Sequence, residues 1–351
     1  MKTIYLKDKH MASGRITIAD VAKAAGVSAG TVSRVLNRRD SEIKISEATQ
    51  KAVIQAAERL GYQPNRFASA LRTQQTGVIG AIVRDISDPF LSLMAREVQH
   101  AAHRRGVELL LGHAENEADT VQRQLGFMRN WFDGLLIIGD MPDNDALFTT
   151  LRASKTPFVA VACGTAANAP LVNIDEVVGT TRIMEYLYAL GHRRVGFIGN
   201  TEHAATRERL SCFEQYVQQR QMVSRADYVQ ATEYTRKAAI ASIQRLLTLP
   251  EPPTAILCTA DLLALGALSG AMLMGWRVPE TLSIISFDDI EEAVDVVPAL
   301  TTLRQPVGAM AEEAVNLLLH LINHPNSDDA NRQILVEPSL MIRRSCSPPI
   351  Q

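Results

Sequence analysis

The sequence predicts a small all-α headpiece followed by an α/β core with doubly wound parallel sheets. Residues 15–64 contain three short helical segments with capping residues. After Gly77, fully apolar runs alternate with amphipathic helical patterns, which is typical of parallel sheets that helices cover on both faces. Because about 270 residues of such units exceed the usual size of one sheet, we expect two subdomains.

Composition favours a globular protein of the cytoplasm. Of the 351 residues, 46% are hydrophobic, which supports sizeable cores. No apolar run is long enough for a membrane span, and no signal peptide is recognised before the first helix. The four cysteines are scattered without a CxxC pair, as expected of reduced thiols. We therefore predict neither a metal site nor a cofactor.

Charge is divided unevenly along the chain. Residues 1–76 hold 13 Lys and Arg against 6 Asp and Glu, whereas the remainder holds 23 against 32. A basic segment on an acidic body favours a polyanionic partner for the basic segment. A solvated surface without such a partner is the alternative, and charge alone does not decide between the two.

Three helices are predicted in the headpiece from hydroxyl residues that can cap them and glycines that can end them. The helices are Ile18–Ala25, Ala29–Asn37 and Glu47–Leu60, capped by Thr17, Ser28 and Ser46. Gly26 ends the first helix and Gly61 ends the third. Residues 1–14 have no periodicity and are predicted to form a disordered arm.

The first two helices are joined by Gly26-Val27-Ser28, which gives the helix-turn-helix pattern. The apolar residues that can pack this pair are Val21, Ala22, Ala25, Val27, Val32 and Val35. The polar residues left for a DNA groove and its phosphates are Ser28, Thr31, Ser33, Arg34 and Asn37. This arrangement favours a DNA-reading unit over an ordinary three-helix packing unit.

The core is predicted from seven apolar runs. They are Val78–Val83, Val107–Leu111, Gly134–Gly139, Phe158–Ala162, Val195–Gly199, Ala255–Cys258 and Leu282–Phe287. Ligands of doubly wound sheets bind beyond the carboxyl ends of the strands. Polar residues stand at these predicted ends, namely Arg84, Asp85, Asp140, Asp175, Thr259, Asp261, Asp288 and Asp289.

Two stretches, ITIADVAKAAGVSAGTVSRVLN and ERLGYQPNRFASALR, resemble the headpiece of the lactose/galactose repressor (LacI/GalR) family. The motifs DISDPF, FDGLLIIG, LYALGHRRVGFIGN, PPTAILCTADLLALGAL and VPETLSIISFDDIEEA extend the resemblance over residues 16–345. It implies a headpiece at 15–64, a hinge helix at 65–75 and a two-lobed core like a periplasmic binding protein at 76–345, before a tail at 346–351. Members of this family are dimeric transcription regulators that bind palindromic operator DNA and respond to a small effector.

The resemblance divides the core into two subdomains and adds a hinge that orders on DNA. The N-subdomain is expected at residues 76–172 and 304–328, and the C-subdomain at 173–303 and 329–345. The hinge segment is too short for a stable isolated helix, so we expect it to be disordered without DNA.

The resemblance implies that Ala29, Gly30 and Arg34 face the bases and that Leu71 wedges into the minor groove. Packing of Leu71 against the core is the alternative. Arg34 can contact guanine in bidentate fashion, and such a contact is worth about 1–3 kcal/mol of discrimination between bases. Ala29 offers only a methyl group, and Gly30 has no side chain. We therefore expect Leu71→Ala to cost more specificity than Ala29→Ser. The complete DNA-binding set is Thr17, Ser28, Ala29, Gly30, Thr31, Ser33, Arg34, Asn37, Tyr62, Asn65, Arg66, Ala68 and Leu71.

The resemblance also implies an effector site at Asp85, Phe90, Asp140, Arg209, Tyr234, Ala260 and Asp288. Phe90 as a core aromatic and Asp288 as a helix cap are the alternatives for those two residues. Ala260 stands where many relatives have an asparagine, and Cys212 where a glycine is common, so the ligand is expected to differ. Three carboxylates and one arginine suit a neutral polyhydroxylated ligand, so we expect a sugar or sugar derivative, with a nucleoside as the alternative.

Two other classes of function were weighed. The sequence has no G-x-S-x-G, P-loop or HExxH motif, so no enzyme is predicted. A transport-type solute-binding protein would share the core but does not account for the headpiece. The prediction is a cytoplasmic, nucleoid-associated repressor that acts as a homodimer, with release by effector favoured over corepression.

Overall fold

The computed structural model describes residues 16–36, 45–62, 75–128, 130–164 and 169–350. The chain divides into two compact units, Met1–Thr76 and Gly77–Gln351. None of the helices within the described ranges is long and apolar enough to cross a membrane.

The headpiece contains α1 (Ile18–Ala25), α2 (Ala29–Leu36) and α3 (Glu47–Leu60). A reciprocal cap begins α1, because the Thr17 side chain accepts from the Asp20 N–H while the Asp20 carboxylate accepts from the Thr17 N–H at 2.8 Å. Gly26 and Gly61 end their helices in the left-handed conformation. The predicted bounds of α1 and α3 are confirmed.

The headpiece core confirms the predicted helix packing. Val21, Val32 and Val53 are fully buried, and Ala22, Ala56 and Ala57 close the remaining space between the helices. The other predicted packing residues, Ala25, Val27 and Val35, are partly buried against this cluster.

The strands of the core are β1 (Val78–Val83), β2 (Glu108–His113), β3 (Leu135–Ile138), β4 (Phe158–Val161), β5 (Leu171–Ile174), β6 (Val195–Gly199), β7 (Val229–Ala231), β8 (Ala255–Cys258), β9 (Ser283–Asp288), β10 (Thr301–Arg304), β11 (Gln333–Val336) and β12 (Ser339–Met341). The helices are α4 (Pro89–Arg104), α5 (Ala118–Met128), α6 (Asn144–Ala153), α7 (Glu176–Ala189), α8 (Ala204–Gln219), α9 (Arg236–Leu247), α10 (Asp261–Leu273), α11 (Glu292–Asp295) and α12 (Val307–Asn323). Short 3-10 turns cover Ala226–Tyr228 and Asp328–Asn331.

Two sheets organise these elements, as the alternating pattern predicts. The first sheet has the strand order β11-β5-β4-β3-β1-β2 and the second β12-β10-β9-β8-β6-β7. The strand pairs are parallel apart from β10 with β12, which is antiparallel. Each sheet defines one lobe, so the core is the predicted two-lobed α/β fold. Polar residues, such as Arg84 and Thr259, follow the carboxyl ends of the parallel strands.

The predicted lobe boundaries are wrong in two places. The strand β5 of the first sheet runs to Ile174, past the predicted boundary at residue 172. Residues 329–345 were all expected in the second lobe, but β11 pairs in parallel with β5, with Gln333 opposite Leu171. The reason is that α12 packs against α4 and β4 of the first lobe, so the strand that follows α12 joins the same sheet. The chain then crosses to the second lobe between Val336 and Ser339, where β12 begins.

Candidate functional site

The exposed face of α2 carries the three positions predicted to meet bases. Ala29, Gly30 and Arg34 are exposed, whereas Val32 is fully buried against the other two helices. At about 100° per residue, Ala29, Gly30 and Arg34 lie on one arc together with Ser33. The helix therefore presents a continuous open surface with one long cationic side chain.

Gly30 has no structural partner that requires a glycine. A Cβ atom built at this position would meet only the Ser28 Oγ, at 3.6 Å, which is an ordinary contact. Glycine inside a helix costs about 1 kcal/mol relative to alanine. Packing within the headpiece gives no reason for glycine at this position.

Several other predicted DNA-binding residues have roles within the headpiece. Ser28 caps α2 by accepting the Thr31 N–H at 3.1 Å, and Thr17 caps α1. Tyr62 is partly buried against the headpiece core. Five predicted positions lie outside the described residues: Asn37, Asn65, Arg66, Ala68 and Leu71.

A cavity of about 40 Å³, the inner cavity, lies at the carboxyl ends of both sheets. Five of the predicted effector residues line it, namely Phe90, Asp140, Arg209, Tyr234 and Asp288. The other two do not. Asp85 lines an adjoining outer cavity of about 470 Å³, and Ala260, which is 1% exposed, begins α10 without lining either cavity.

Arg209 is held by a glutamate that sequence reasoning missed. Its Nε and Nη2 donate to the two carboxylate oxygens of Glu176 at 2.6 and 2.9 Å, and its Nη1 donates to the Thr259 carbonyl at 2.6 Å. Both side chains of the pair are buried. Burial raises the pKa of Glu176, and the charge of Arg209 opposes this shift. All three guanidinium nitrogens therefore already have protein acceptors.

A second buried ion pair lies in the first lobe. Arg84 Nη2 donates to Asp88 at 2.7 Å, and Asp88 also accepts the Phe90 N–H at 3.0 Å at the start of α4. The Arg84 guanidinium lies 5.0 Å from the Tyr234 ring centroid and 3.2 Å from Nδ1 of His203. Because Arg84 is always a donor, the accepting nitrogen of His203 carries no proton. Burial, with Arg84 as the next cause, lowers the pKa of His203 to about 3.

Asp140 joins the two lobes, although it was predicted to accept ligand hydroxyls. Oδ1 accepts the Gly164 N–H at 2.8 Å and the Asn144 amide at 3.2 Å, and Oδ2 accepts the Ala205 N–H at 3.1 Å. The N-cap residue of α8, His203, makes no side-chain capping bond, so Asp140 of the first lobe caps a helix of the second. Both carboxylate oxygens therefore have protein donors.

Asp288 is the predicted effector carboxylate with the most acceptor capacity left open. It ends β9 with a φ of 114° and accepts from the Gln305 amide at 2.8 Å. Burial, followed by the nearby Asp261, raises the pKa of Asp288 well above its usual range, and Arg209 opposes this. The alternative as a helix cap does not hold, because α11 begins only at Glu292. Phe90, the other residue with an alternative, is both a core aromatic and a cavity residue.

Sequence reasoning missed Asp88, His203 and Gln305, which also line the inner cavity, and it named Arg84 and Thr259 at strand ends without including them in the effector set. For Arg84 and Thr259, the position at a predicted strand end was the available signal. No group of three metal-ligating side chains suited to a metal ion is found in the described part of the chain.

The chain combines a helix-turn-helix unit, which has an open recognition face, with a two-lobed core that has a cavity between its sheets. This combination defines a ligand-responsive DNA-binding regulator. Residues 17–65 match the bacterial regulatory proteins of the lacI family, and residues 184–346 match the periplasmic binding protein-like domain. The chain belongs to the lacI family of bacterial regulatory proteins.

Two relatives cover nearly the whole chain. The HTH-type transcriptional repressor CytR of Escherichia coli (strain K12) is 34% identical over 331 residues, covering 94% of this chain and 96% of the relative. The HTH-type transcriptional repressor PurR of Haemophilus influenzae (strain PittEE) is 32% identical over 334 residues, covering 94% and 98%. Both are named as repressors, in agreement with the predicted class.

Two solved structures agree in fold over most of the chain. The lac repressor dimer bound to operator and the anti-inducer ONPF has a TM-score of 0.84 at 25% identity, covering 95% of this chain and 100% of that one. The complex of the transcriptional regulator CelR with cellobiose has a TM-score of 0.70 at 28% identity, covering 94% and 100%. The chain is thus a DNA-binding transcriptional regulator of this family.

Proposed function

We propose that the chain is a homodimeric, cytoplasmic repressor that binds palindromic operator DNA and changes its operator affinity when a small effector binds between the core lobes. The observation that supports the DNA role best is the open face of α2, where Arg34 is exposed opposite the buried Val32. The family membership of the chain supports the same function, and its headpiece disfavours a transport-type solute-binding protein.

The recognition face is expected to read few bases directly. Arg34 is the long cation on this face, and it suits the O6 and N7 atoms of guanine. Gly30 is not required by packing inside the headpiece, so we propose that it permits close approach to the DNA. The predicted wedge, Leu71, would then account for readout at the operator centre.

The effector is proposed to be a sugar or sugar derivative. The inner cavity is lined mainly by hydrogen-bonding side chains, with the rings of Phe90 and Tyr234 on its walls. The similar structure of the transcriptional regulator CelR was solved as a complex with cellobiose, which supports a sugar as the ligand class. The two rings also suit stacking on a base, which keeps a nucleoside as the second candidate.

The proposed control is a two-state linkage. An effector bound in the cleft changes the angle between the lobes, and with it the spacing of the two hinge segments across the dimer. A coupling of about 1–3 kcal/mol is enough for a 5–150-fold change in operator affinity. Release by effector is proposed over corepression.

Electrophoretic mobility of promoter DNA tests the DNA role. Operator sites selected with the full-length protein should be palindromic, and Arg34→Ala should weaken the selected site by about 5–150-fold. Arg59→Ala, which removes the same charge from the exposed end of α3, is the matched control and should have a smaller effect that is uniform across sequences. Equal losses for both variants, or a stable tetramer in solution, would contradict the proposal.

A further inference from the structure

The inner cavity has more carboxylates than cations among its described lining residues. Four carboxylates line it, those of Asp88, Asp140, Glu176 and Asp288, against the guanidinium groups of Arg84 and Arg209. His203 adds no charge, because its ring accepts a hydrogen bond from Arg84. Each arginine is already paired with a carboxylate, so an anionic ligand would find no unpaired cation here.

The outer cavity continues this negative charge. Its described lining includes Asp85, Glu202 and Glu233, and Arg84 is the one Lys or Arg among them. Arg84, His203 and Tyr234 line both cavities, so they stand between the two spaces. The approach to the inner cavity is therefore acidic as well.

A buried hydroxyl in the inner cavity lacks a partner. Thr259 is 2% exposed and lines this cavity, and its Oγ1 has no hydrogen-bond partner among the residues that the structure describes. Buried hydroxyl groups in native proteins are almost always hydrogen-bonded. The unmet Oγ1 is an independent sign that a polar ligand group completes this site.

The volumes of the two cavities suit two different parts of one ligand. About 40 Å³ in the inner cavity has room for a small charged group or a few waters. The outer cavity, at about 470 Å³, falls in the range that holds small-molecule ligands. A ring therefore fits the outer cavity while one polar substituent enters the inner one, which requires the ligand to displace the Arg84–His203 contact between the two spaces.

Resting on the proposed function, we propose that the effector is a polyhydroxylated organic cation of the amino-sugar class. Its ring lies in the outer cavity and its ammonium group meets Asp288 in the inner one. Glu176 sets this preference, because it neutralises the charge of Arg209 and occupies its Nε and Nη2 donors. Asp288 accepts from Gln305 and retains acceptor sites for the ammonium. Burial and Asp261 raise the pKa of Asp288 in the unliganded site, and a bound ammonium group would favour its ionised form.

Matched sets of sugars that differ only in charge test the ligand class. The probes are glucosamine, glucose and glucuronate, with the corresponding galactose set, titrated calorimetrically into full-length protein at about pH 6.5, where such amines are protonated. Within any set that binds, the amine should bind at least about tenfold more tightly than the neutral sugar, and the acid should not bind. Absence of binding by both amines, or equal or tighter binding of a neutral or acidic member, would overturn the proposal.

Two variants test which residues cause the preference for the amine. Glu176→Gln should remove the advantage of the amine and allow the acid to bind, because the charge of Arg209 is no longer neutralised. Glu185→Gln, exposed on the same helix, is the matched control and should change neither. Asp288→Asn leaves the Glu176–Arg209 pair intact and should remove amine binding, which keeps the test valid if Glu176→Gln unfolds.

Mobility shifts of promoter DNA are measured in parallel with the unliganded protein. If DNA is bound while the amines fail, the ligand class is wrong and the regulator function stands. If no palindromic DNA is bound under any condition, the proposed function itself fails.

Discussion

His203 should make the core less stable as the pH falls from 6.5 towards about 3. The imidazole is buried at the start of α8, where it accepts from Arg84 and lies 5.6 Å from the Tyr234 ring centroid. Protonation would place a second cation against Arg84, with Arg207 and Arg209 also near. Folding therefore favours the neutral ring.

The size of the effect follows from the two pKa values. The pKa of His203 falls from 6.5 to about 3 on folding, so between these values the unfolded chain binds the extra proton and stability is lost as the pH falls. At pH 5.5, one unit below the unfolded pKa, the loss is about 1.4 kcal/mol, and at pH 7.5 it is below about 0.1 kcal/mol. His203→Gln keeps an acceptor for Arg84 but cannot titrate.

The assay is urea unfolding at pH 7.5 and 5.5, followed by tryptophan fluorescence. Both tryptophans, Trp131 and Trp276, lie in the core unit, so the signal reports the core. On acidification the wild type should lose about 1.4 kcal/mol more than His203→Gln. His103→Gln, on an exposed part of α4, controls for the substitution itself. Equal losses for the wild type and His203→Gln would refute the reasoning.

Three further substitutions test other local arguments. Thr17→Ala removes half of the reciprocal cap and should destabilise α1 by about 1 kcal/mol, seen as faster amide exchange over Ile18–Ala25. Asp140→Ala leaves two backbone N–H groups without their acceptor and should cost about 2–5 kcal/mol in urea unfolding; unchanged stability would contradict the cross-lobe cap. Gly266→Ala places a Cβ 2.4 Å from a carbonyl oxygen of α9 and should cost about 1–3 kcal/mol in the same assay. Its control, Gly308→Ala, meets nothing within 4 Å and should not destabilise the core.

Features that depend on neighbouring residues were predictable from the sequence. The helices α1 and α3 begin at hydroxyl caps and end at glycines because both signals act within one helical turn. The strands β1, β6 and β8 have the predicted bounds because they are continuous apolar runs buried on both faces.

The missed strands lack such a continuous apolar run. The strands β7, β11 and β12 contain exposed or half-buried residues because they lie at or near sheet edges. The strands β5 and β10 are largely buried but include polar residues, such as Asn173 and Thr302, that interrupt the apolar pattern. Their positions depend on tertiary pairing, which one sequence does not display.

The residues of the candidate site also divide into those that local sequence signals predict and those that depend on tertiary pairing. Asp140 and Asp288 stand at or just after strand ends, and Phe90 stands in the first turn of the helix that follows β1, where parallel topology brings side chains together. Glu176 and Arg209 pair across 33 positions of sequence, and that pairing depends on how α7 and α8 lie beside each other. Side chains that a motif marks as ligand contacts can therefore already have protein partners.

The existing contacts between the lobes affect how an effector acts on the core. Asp140 joins the lobes through Ala205, and Arg84 joins them through His203 and Tyr234. A ligand shifts the lobe angle only by the difference in its affinity for the two arrangements. If the effector replaces these contacts, Asp140→Ala should change operator affinity in the same direction as the effector does. If the effector strengthens them, the variant and the effector should act in opposite directions, so one mobility-shift comparison distinguishes opening of the cleft from closure.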